Sequence, residues 1–180
     1  MRIIAGHYKN RRINFTQLNI RPTTDFAKES LFNVLNNQYN LDAISVLDLF
    51  AGSGNISYEF ISRGSRKTLA IEKNTNCVNF IKKIKSKLEM HNLQIKITNA
   101  YRYLKKTACN YDIIFADPPY NYTQDDYNQI IDLVFDRKLL NPYGVLVIEH
   151  AKFINFENSL FFVEQRKYGK VNFTFLKNEK

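Results

Sequence analysis

Short apolar runs alternate with helical stretches from residue 45 to residue 149. Five of the runs predict strands, and the segments between them carry apolar residues at helical spacing. The predicted strands are 45–50, 68–72, 95–98, 113–116 and 144–149, and the predicted helices are 55–63, 76–90, 101–106 and 125–135. Strands separated by helices are typical of βαβ units, whose strands are parallel. The pattern therefore predicts an α/β fold with a mostly parallel sheet.

The two ends of the chain depart from this alternation. Thr24 suits a helix N-cap and Asp25 suits the first turn, so a helix is predicted over 25–37. Near the other end, 160–166 and 171–176 are predicted to form an antiparallel hairpin. No repeat or linker divides the chain. We expect a single domain over 1–180, in which residues 1–40 are a basic N-terminal extension plus a helix.

The charge of the chain bears on its partners. A net charge of +9 favours a polyanion, with nucleic acid as the first candidate and an anionic membrane surface as the second. A composition rich in Lys, Asn and Ile also raises the charge without a functional reason, so the distribution is more informative. Residues 1–24 contain no acid and carry the cations Arg2, Lys9, Arg11, Arg12 and Arg21.

Other classes of protein are disfavoured by the composition. No apolar run is long enough to span a bilayer, and the opening MRIIAGHYKN does not resemble a signal peptide, so we expect a cytoplasmic protein. Cys77 and Cys109 lie far apart and belong to no Cys/His cluster. They are expected to be reduced thiols, and no metal site is predicted.

A glycine loop follows the first predicted strand in SVLDLFAGSGN. Gly52 and Gly54 would let a ligand approach the backbone at the start of a helix. Glu72 ends the next strand, where a carboxylate can accept the hydroxyls of a ribose. Because Ser57 stands where a dinucleotide fingerprint has glycine, a different adenosine-containing cofactor remains open beside a dinucleotide. Asp48, an acid in an apolar strand, needs a partner. A cationic ligand group and loop N–H groups are compatible partners, and we expect both.

The stretch DIIFADPPYN places a carboxylate, two prolines and an aromatic residue at the end of another strand. Asp117 and the backbone carbonyl of Pro118 can accept the N–H protons of an exocyclic amine on a nucleobase, which turns its lone pair toward an electrophile. Tyr120 can stack on the base, and such stacking contributes about 1–3 kcal/mol. In an open α/β sheet the carboxyl ends of the strands meet at the ligand site. We therefore expect these residues to lie near Asp48 and Glu72.

These motifs together resemble those of S-adenosylmethionine-dependent amino-methyltransferases. The segments RIIAGHYKNRR, RPTTDFAKESLFNVL and VLDLFAGSGNISYEFISRG make the resemblance closer, and the chain is similar over nearly its whole length to the bacterial RsmD family. The resemblance implies a Rossmann-like class I methyltransferase fold, with a seven-stranded, mostly parallel sheet and a C-terminal antiparallel hairpin. It also implies methylation of guanine N2 in 16S rRNA of a small-subunit particle or assembly intermediate. Separately from the resemblance, we expect the protein to be a monomer.

The resemblance also assigns residues. It implies a cofactor site for S-adenosylmethionine at Asp48, Phe50, Gly52, Gly54, Glu72, Asn99 and Ala100. It implies catalytic roles for Asp117, Pro118 and Tyr120, and substrate contacts at Arg11, Arg12, Arg21, Pro22, Thr23 and Pro119.

The sequence departs from the family pattern in the N-terminal region and beside the adenine site. Asn10 replaces a common Gly, Phe26 replaces a common Arg, and Asn99 replaces an acid that many related enzymes have. Two other functions stay open on the residues alone. A DNA adenine-N6 methyltransferase would also use DPPY, and a non-catalytic RNA-binding module could retain the fold. A dehydrogenase is disfavoured by Ser57.

Overall fold

The structure, a computed structural model, describes residues 1–18, 23–169 and 171–178. Two residues expected to contact substrate, Arg21 and Pro22, lie outside the described residues, as does Lys170 of the predicted hairpin turn. Within the described part of the chain, no helix is long and apolar enough to cross a membrane.

In the described part of the chain, five helices and seven strands follow one another in the order that the sequence predicts. The strands are β1 (Ser45–Asp48), β2 (Lys67–Glu72), β3 (Leu93–Ile97), β4 (Tyr111–Ala116), β5 (Leu140–His150), β6 (Phe162–Tyr168) and β7 (Val171–Leu176). The helices are α1 (Asp25–Gln38), α2 (Asn55–Ser62), α3 (Thr75–Lys87), α4 (Ala100–Lys106) and α5 (Gln124–Asp136). Thr24 caps α1 as expected, since its side chain accepts a hydrogen bond from the Ala27 backbone N–H.

The seven strands form one sheet in the order β3-β2-β1-β4-β5-β7-β6. Strands β1 to β5 pair in parallel, and β7 is antiparallel to both of its neighbours. The predicted Rossmann-like fold with a C-terminal antiparallel hairpin is thereby confirmed. The strand order reverses between β1 and β4, and a crevice at such a switch point is where doubly wound sheets bind ligands.

Both faces of the sheet are buried, which explains why the strands read as nearly continuous apolar runs. One face packs against α1 and α2 through Val46, Phe115 and Val147, together with Phe32 and Phe60. The opposite face packs against α4 and α5 through alternate residues of the same strands, including Leu47, Ile114 and Ile148. Each helix layer therefore holds the strand ends of the switch point in place.

Several element boundaries differ from the predicted ones by up to four residues; α3, for example, ends at Lys87 rather than at residue 90. The differences at β1 and β5 have clear physical reasons. Strand β1 ends at Asp48, because the chain then turns into the glycine loop. Strand β5 begins four residues before Gly144, because Leu140 pairs with Tyr111 ahead of an irregularity in the ladder. Residues 141–143 look like a turn in the sequence, and Tyr143 does have a positive φ of 63°. They nevertheless belong to β5.

The basic N-terminal extension is packed against the domain rather than extended from it. Residues 1–13 form a short antiparallel ribbon in which Arg2 pairs with Arg12, and Ile3 and Ile13 are buried. At its turn, Asn10 has a φ of 66°, a left-handed conformation that Asn tolerates better than most residues. The replacement of the family's common Gly by Asn therefore keeps the turn.

A buried carboxylate on α2 anchors this ribbon. The two oxygens of Glu59 accept hydrogen bonds from the backbone N–H groups of Ile4 and Ala5, at 2.9 and 3.1 Å. Lys28 of α1, which is fully shielded from solvent, lies 3.4 Å from Glu59 and donates to the Arg2 carbonyl. Burial lowers the pKa of Lys28, and the charge of Glu59 opposes that shift. One ion pair therefore joins α1, α2 and the ribbon.

We expect Glu59→Gln to destabilise the protein by about 3–5 kcal/mol, because the variant leaves Lys28 as an uncompensated buried charge. The amide also presents an NH₂ group where two backbone donors require an acceptor. Urea unfolding measures the change in the free energy of unfolding. Glu29→Gln, an exposed position on α1, is the matched control and should change it by less than about 0.5 kcal/mol. Equal stability of the two variants would contradict the anchoring role.

Candidate active site

A cavity of about 440 Å³ opens at the carboxyl ends of β1, β2 and β4, at the switch point of the sheet. Most of the residues predicted to bind a cofactor or substrate line it. They are Thr23, Asp48, Phe50, Gly52, Glu72, Asn99, Ala100, Asp117, Pro118, Pro119 and Tyr120. The topology therefore brings together residues that are up to 97 positions apart, from Thr23 to Tyr120. Arg11, Arg12 and Gly54 do not belong to this lining.

The glycine loop takes its shape from a close contact with α2. Gly54 has a φ of 84° and precedes α2, and a Cβ atom there would lie 2.6 Å from the Tyr58 ring. Gly54 therefore shapes the turn, while Gly52 faces the cavity. Glu72 fixes the loop from the neighbouring strand, since its carboxylate accepts the N–H groups of Gly52 at 2.8 Å and Asn74 at 2.7 Å.

Asp48 is a buried carboxylate whose two oxygens have different surroundings. Its Oδ2 accepts a hydrogen bond from the Ser57 hydroxyl at 2.6 Å. Its Oδ1 has no hydrogen-bond partner among the described residues, and the side chain lines the cavity. Ser57 thus has a role at the position where a dinucleotide fingerprint has glycine. A buried acceptor without a partner fits a cationic group of a ligand, as an ammonium would supply.

The far wall of the cavity is formed by the DPPY segment. Asp117 follows β4, Pro118 is buried, and Tyr120 is 67% exposed. Burial raises the pKa of Asp117 well above its usual range, and the negative charges of Glu149 and Asp48 act in the same direction. The turn is closed by a hydrogen bond from the Tyr122 N–H to the Pro119 carbonyl, at 3.0 Å.

A second, smaller cavity of about 190 Å³ lies on the other side of this wall. Asp117, Pro118 and Tyr120 line both cavities, so one short segment separates two spaces. The remaining lining comes from Tyr127 on α5, from Glu149 and His150 on β5, and from Ala151, Phe153 and Val171. The sequence predicted a cofactor site and an amine-binding segment, but it did not predict this second cavity.

The sequence offered one signal for the missed residues. Glu149 ends an apolar strand, as Asp48 and Glu72 do, so the same pattern could have identified it. Burial lowers the pKa of the neighbouring His150, which favours its neutral form. Both of its ring nitrogens are within hydrogen-bond distance of fixed groups, the Ala151 carbonyl and the Thr174 hydroxyl.

The predicted RNA-entrance residues fall into two groups. Arg11 and Arg12 are exposed on the N-terminal ribbon, whose first residue reaches the glycine loop: the Ser53 hydroxyl lies 3.4 Å from the Met1 sulfur. Thr23 is buried, and its hydroxyl donates to Glu149 at 2.9 Å. The structure therefore places Thr23 inside the site rather than on a surface around it.

No group of three or more potential metal-binding side chains occurs in 1–18, 23–169 and 171–178.

Asp48 should make the stability of the free protein depend on pH. Burial raises the pKa of Asp48 to about 7, so the folded state holds a proton that the unfolded chain releases near pH 4. Stability from this group is fully present below pH 4 and is lost as the pH rises to about 7. At about 1.4 kcal/mol per pH unit, the loss is on the order of 4 kcal/mol.

Asp48→Asn should remove this contribution, so that the variant loses less stability than the wild type between pH 4 and pH 7. Urea unfolding at several pH values measures the difference. Asp132→Asn on the exposed side of α5 serves as the control. If stability changes with pH in the same way in the wild type and in Asp48→Asn, Asp48 has the same pKa in the folded and unfolded states, and the prediction is wrong.

Known proteins are similar to this chain in sequence. The family described as "Conserved hypothetical protein 95" matches residues 1–177. Ribosomal RNA small subunit methyltransferase D of Buchnera aphidicola (subspecies Baizongia pistaciae) is 33% identical, over 99% of this chain and 92% of that protein. The Escherichia coli K12 protein of the same name is 30% identical, over 83% of this chain and 74% of that protein.

Solved structures are similar in fold. The Escherichia coli protein yhhF has a TM-score of 0.85 at 25% identity and covers 97% of this chain and 96% of its own. The protein SMU.776 in complex with SAH has a TM-score of 0.66 at 16% identity, over 84% of this chain and 49% of that chain. Since a family match spans residues 1–177 and relatives at 30% identity or more align along most of the chain, the chain belongs to the RsmD family of ribosomal RNA small subunit methyltransferases.

Proposed function

We propose that the protein transfers a methyl group from S-adenosylmethionine to the exocyclic N2 amine of a guanine in 16S rRNA. The observation that carries this function is the wall formed by Asp117, Pro118 and Tyr120, which separates a cofactor-sized cavity from a smaller one. The methyl donor would bind on one side of this wall and the amine that accepts the methyl group on the other, so the two reacting groups would meet at the wall. The names of the relatives support small-subunit ribosomal RNA as the substrate.

The residues of the larger cavity fit S-adenosylmethionine, which supplies an electrophilic methyl group on a sulfonium when bound. Asp48 would bind the ammonium through its unpartnered Oδ1 atom. Glu72 would bind ribose hydroxyls, since a carboxylate can accept about four hydrogen bonds and two come from the loop. Phe50, Asn99 and Ala100 would border the adenine.

At the wall, Asp117 and the Pro118 carbonyl would hold the target amine by its N–H groups. These contacts orient the nitrogen lone pair toward the larger cavity, so much of the catalysis is positioning. Hydrogen bonds donated by the amine favour the ionised form of Asp117, which burial and nearby acids disfavour in the free protein. The raised pKa also makes Asp117 the group best suited to accept the proton that the nitrogen releases after transfer.

The target base has to leave its helix or be unpaired to enter such a pocket. Tyr120 would stack on it, in keeping with a largely exposed ring at the rim of both cavities. We propose that the enzyme acts as a cytoplasmic monomer on a small-subunit particle or an assembly intermediate. The packed N-terminal ribbon would present Arg11 and Arg12 to the RNA backbone.

The first test is methyl transfer from labelled S-adenosylmethionine to unmethylated small-subunit particles, their naked RNA and duplex DNA, followed by nucleoside analysis. N2-methylguanosine in the RNA is the expected product. Label in DNA as N6-methyladenine would overturn the proposed substrate in favour of a DNA enzyme. Cofactor binding without any transfer would mean that the proposed substrate is wrong while the cofactor site stands. RNA binding without cofactor binding would favour a non-catalytic RNA-binding module.

Asp117→Ala should lower turnover by about 100-fold or more while cofactor affinity stays close to that of the wild type, because the carboxylate binds the amine and not the cofactor. Turnover comes from the methyl-transfer assay and affinity from titration calorimetry. Asp132→Ala, which removes an exposed carboxylate of α5, is the control. Full turnover of Asp117→Ala would refute the role of this residue.

Replacing both Arg11 and Arg12 with Ala should weaken RNA binding and reduce its salt dependence. Each lost phosphate contact lowers the slope of log K against log salt by about 0.7–0.9, so the double variant should lose about 1.5. Filter binding between 50 and 200 mM salt measures the slope.

The matched control replaces Lys82 and Lys83 with Ala, which removes the same charge from an exposed part of α3. An equal change of slope in both double variants would mean that net charge, and not the N-terminal ribbon, governs RNA binding.

A further inference from the structure

Two carboxylates stand side by side at the ends of neighbouring strands in the smaller cavity. Ala116 of β4 pairs with Ile148 of β5, so the next residues along these parallel strands are Asp117 and Glu149. Both line the cavity of about 190 Å³. The closeness of Glu149 contributes to the raised pKa of Asp117. Holding a target amine requires only Asp117, so the second carboxylate needs its own explanation.

Glu149 is held in place by a chain of buried hydrogen bonds. It is only 6% exposed and accepts from the Thr23 hydroxyl at 2.9 Å. The Thr23 carbonyl accepts from the Asn55 amide at 3.0 Å, and the amide oxygen of Asn55 accepts from Lys28 at 2.8 Å. This chain ends at the Lys28–Glu59 ion pair that anchors the N-terminal ribbon. These hydrogen bonds fix the orientation of the Glu149 carboxylate at the smaller cavity.

An ionised carboxylate accepts hydrogen bonds and donates none. Two neighbouring carboxylates therefore match a ligand that presents two neighbouring hydrogen-bond donors. Guanine has such an edge, because its N1–H lies next to its N2 amine. In adenine and cytosine the ring nitrogen beside the exocyclic amine carries a lone pair, which a carboxylate would repel. The DPPY segment alone accepts any exocyclic amine, whereas the pair of acids distinguishes guanine.

We propose that Glu149 is a specificity-determining residue that accepts the N1–H of the target guanine while Asp117 accepts its N2 amine. Thr23 is the positioning residue that fixes the Glu149 carboxylate through its hydroxyl. This assignment rests on the proposed guanine-N2 activity and adds the group that selects the base.

The test compares guanine with 2-aminopurine at the target position of the RNA. This analogue keeps the C2 amine but has an unprotonated N1, so it cannot donate to Glu149. The wild type should prefer guanine by about 10- to 100-fold in kcat/KM. In Glu149→Gln the amide can donate to the unprotonated N1, so the preference should fall to within about threefold. The analogue also lacks the O6 oxygen of guanine. Because this loss is the same for the wild type and for Glu149→Gln, the difference between their preferences reports the contribution of residue 149.

Two further variants secure the interpretation. Glu157→Gln, an exposed glutamate beyond β5, should keep the wild-type preference. Thr23→Val removes only the hydroxyl that positions Glu149 and should lower the preference in part, which keeps the test open if Glu149→Gln does not fold. S-adenosylmethionine affinity close to that of the wild type shows that Glu149→Gln is folded, since Glu149 does not line the larger cavity. Thr23 does line that cavity, so urea unfolding checks the folding of Thr23→Val.

The outcomes separate the two levels of inference. No methylation of guanine by the wild type would overturn the proposed function, and this assignment with it. Methylation of guanine with the same preference in the wild type, Glu149→Gln and Thr23→Val would leave the function intact and overturn the role of Glu149. A preference that falls in Glu149→Gln, and not in Glu157→Gln, supports the assignment.

Discussion

Lys28 and Glu59 are both shielded from water, and their ion pair connects three parts of the chain that the site requires. Glu59 binds the backbone of the N-terminal ribbon on one side, while Lys28 donates to Asn55 at the start of α2 on the other. Removing Glu59 would leave Lys28 as a buried charge without its acidic partner, which costs far more than the pair itself contributes. Removing Lys28 would cost less, because Glu59 also pairs with Arg63 at 2.9 Å. The ribbon is therefore a fixed part of the domain, and its exposed cations keep a defined position relative to the cavities.

The same network connects structure to chemistry. From Asn55 the hydrogen bonds continue through Thr23 to Glu149, which stands beside Asp117 at the wall between the two cavities. A region that the sequence presents as a basic RNA-binding extension thus also supports the site from within. Burial raises the pKa of two acids of the site, Asp48 and Asp117. Bound ligands that donate hydrogen bonds to these carboxylates would favour their ionised forms.

Most of the fold and most residues of the larger cavity could be predicted from local sequence pattern, whereas the smaller cavity could not. The strand ends at Asp48, Glu72 and Asp117 are visible because an acid after an apolar run is unusual, and parallel strands bring such ends together. The errors arose where local pattern and pairing disagree. Residues 140–143 look like a turn, yet Leu140 joins the sheet because Tyr111 pairs with it. For Gly54 the structure adds a reason that local pattern does not show, since a Cβ atom there would lie 2.6 Å from the Tyr58 ring.

By itself the sequence determined the order of elements, the parallel sheet, the glycine loop and the DPPY segment, because periodicity and residue chemistry act over short distances. Only the tertiary structure decided that Thr23 faces inward, that the N-terminal ribbon is anchored, and that a second cavity exists. Those features depend on contacts between residues as far apart as Thr23 and Glu149, 126 positions along the chain. Such contacts leave no periodic trace, since they form only when the sheet register and the helix layers place two strand ends together.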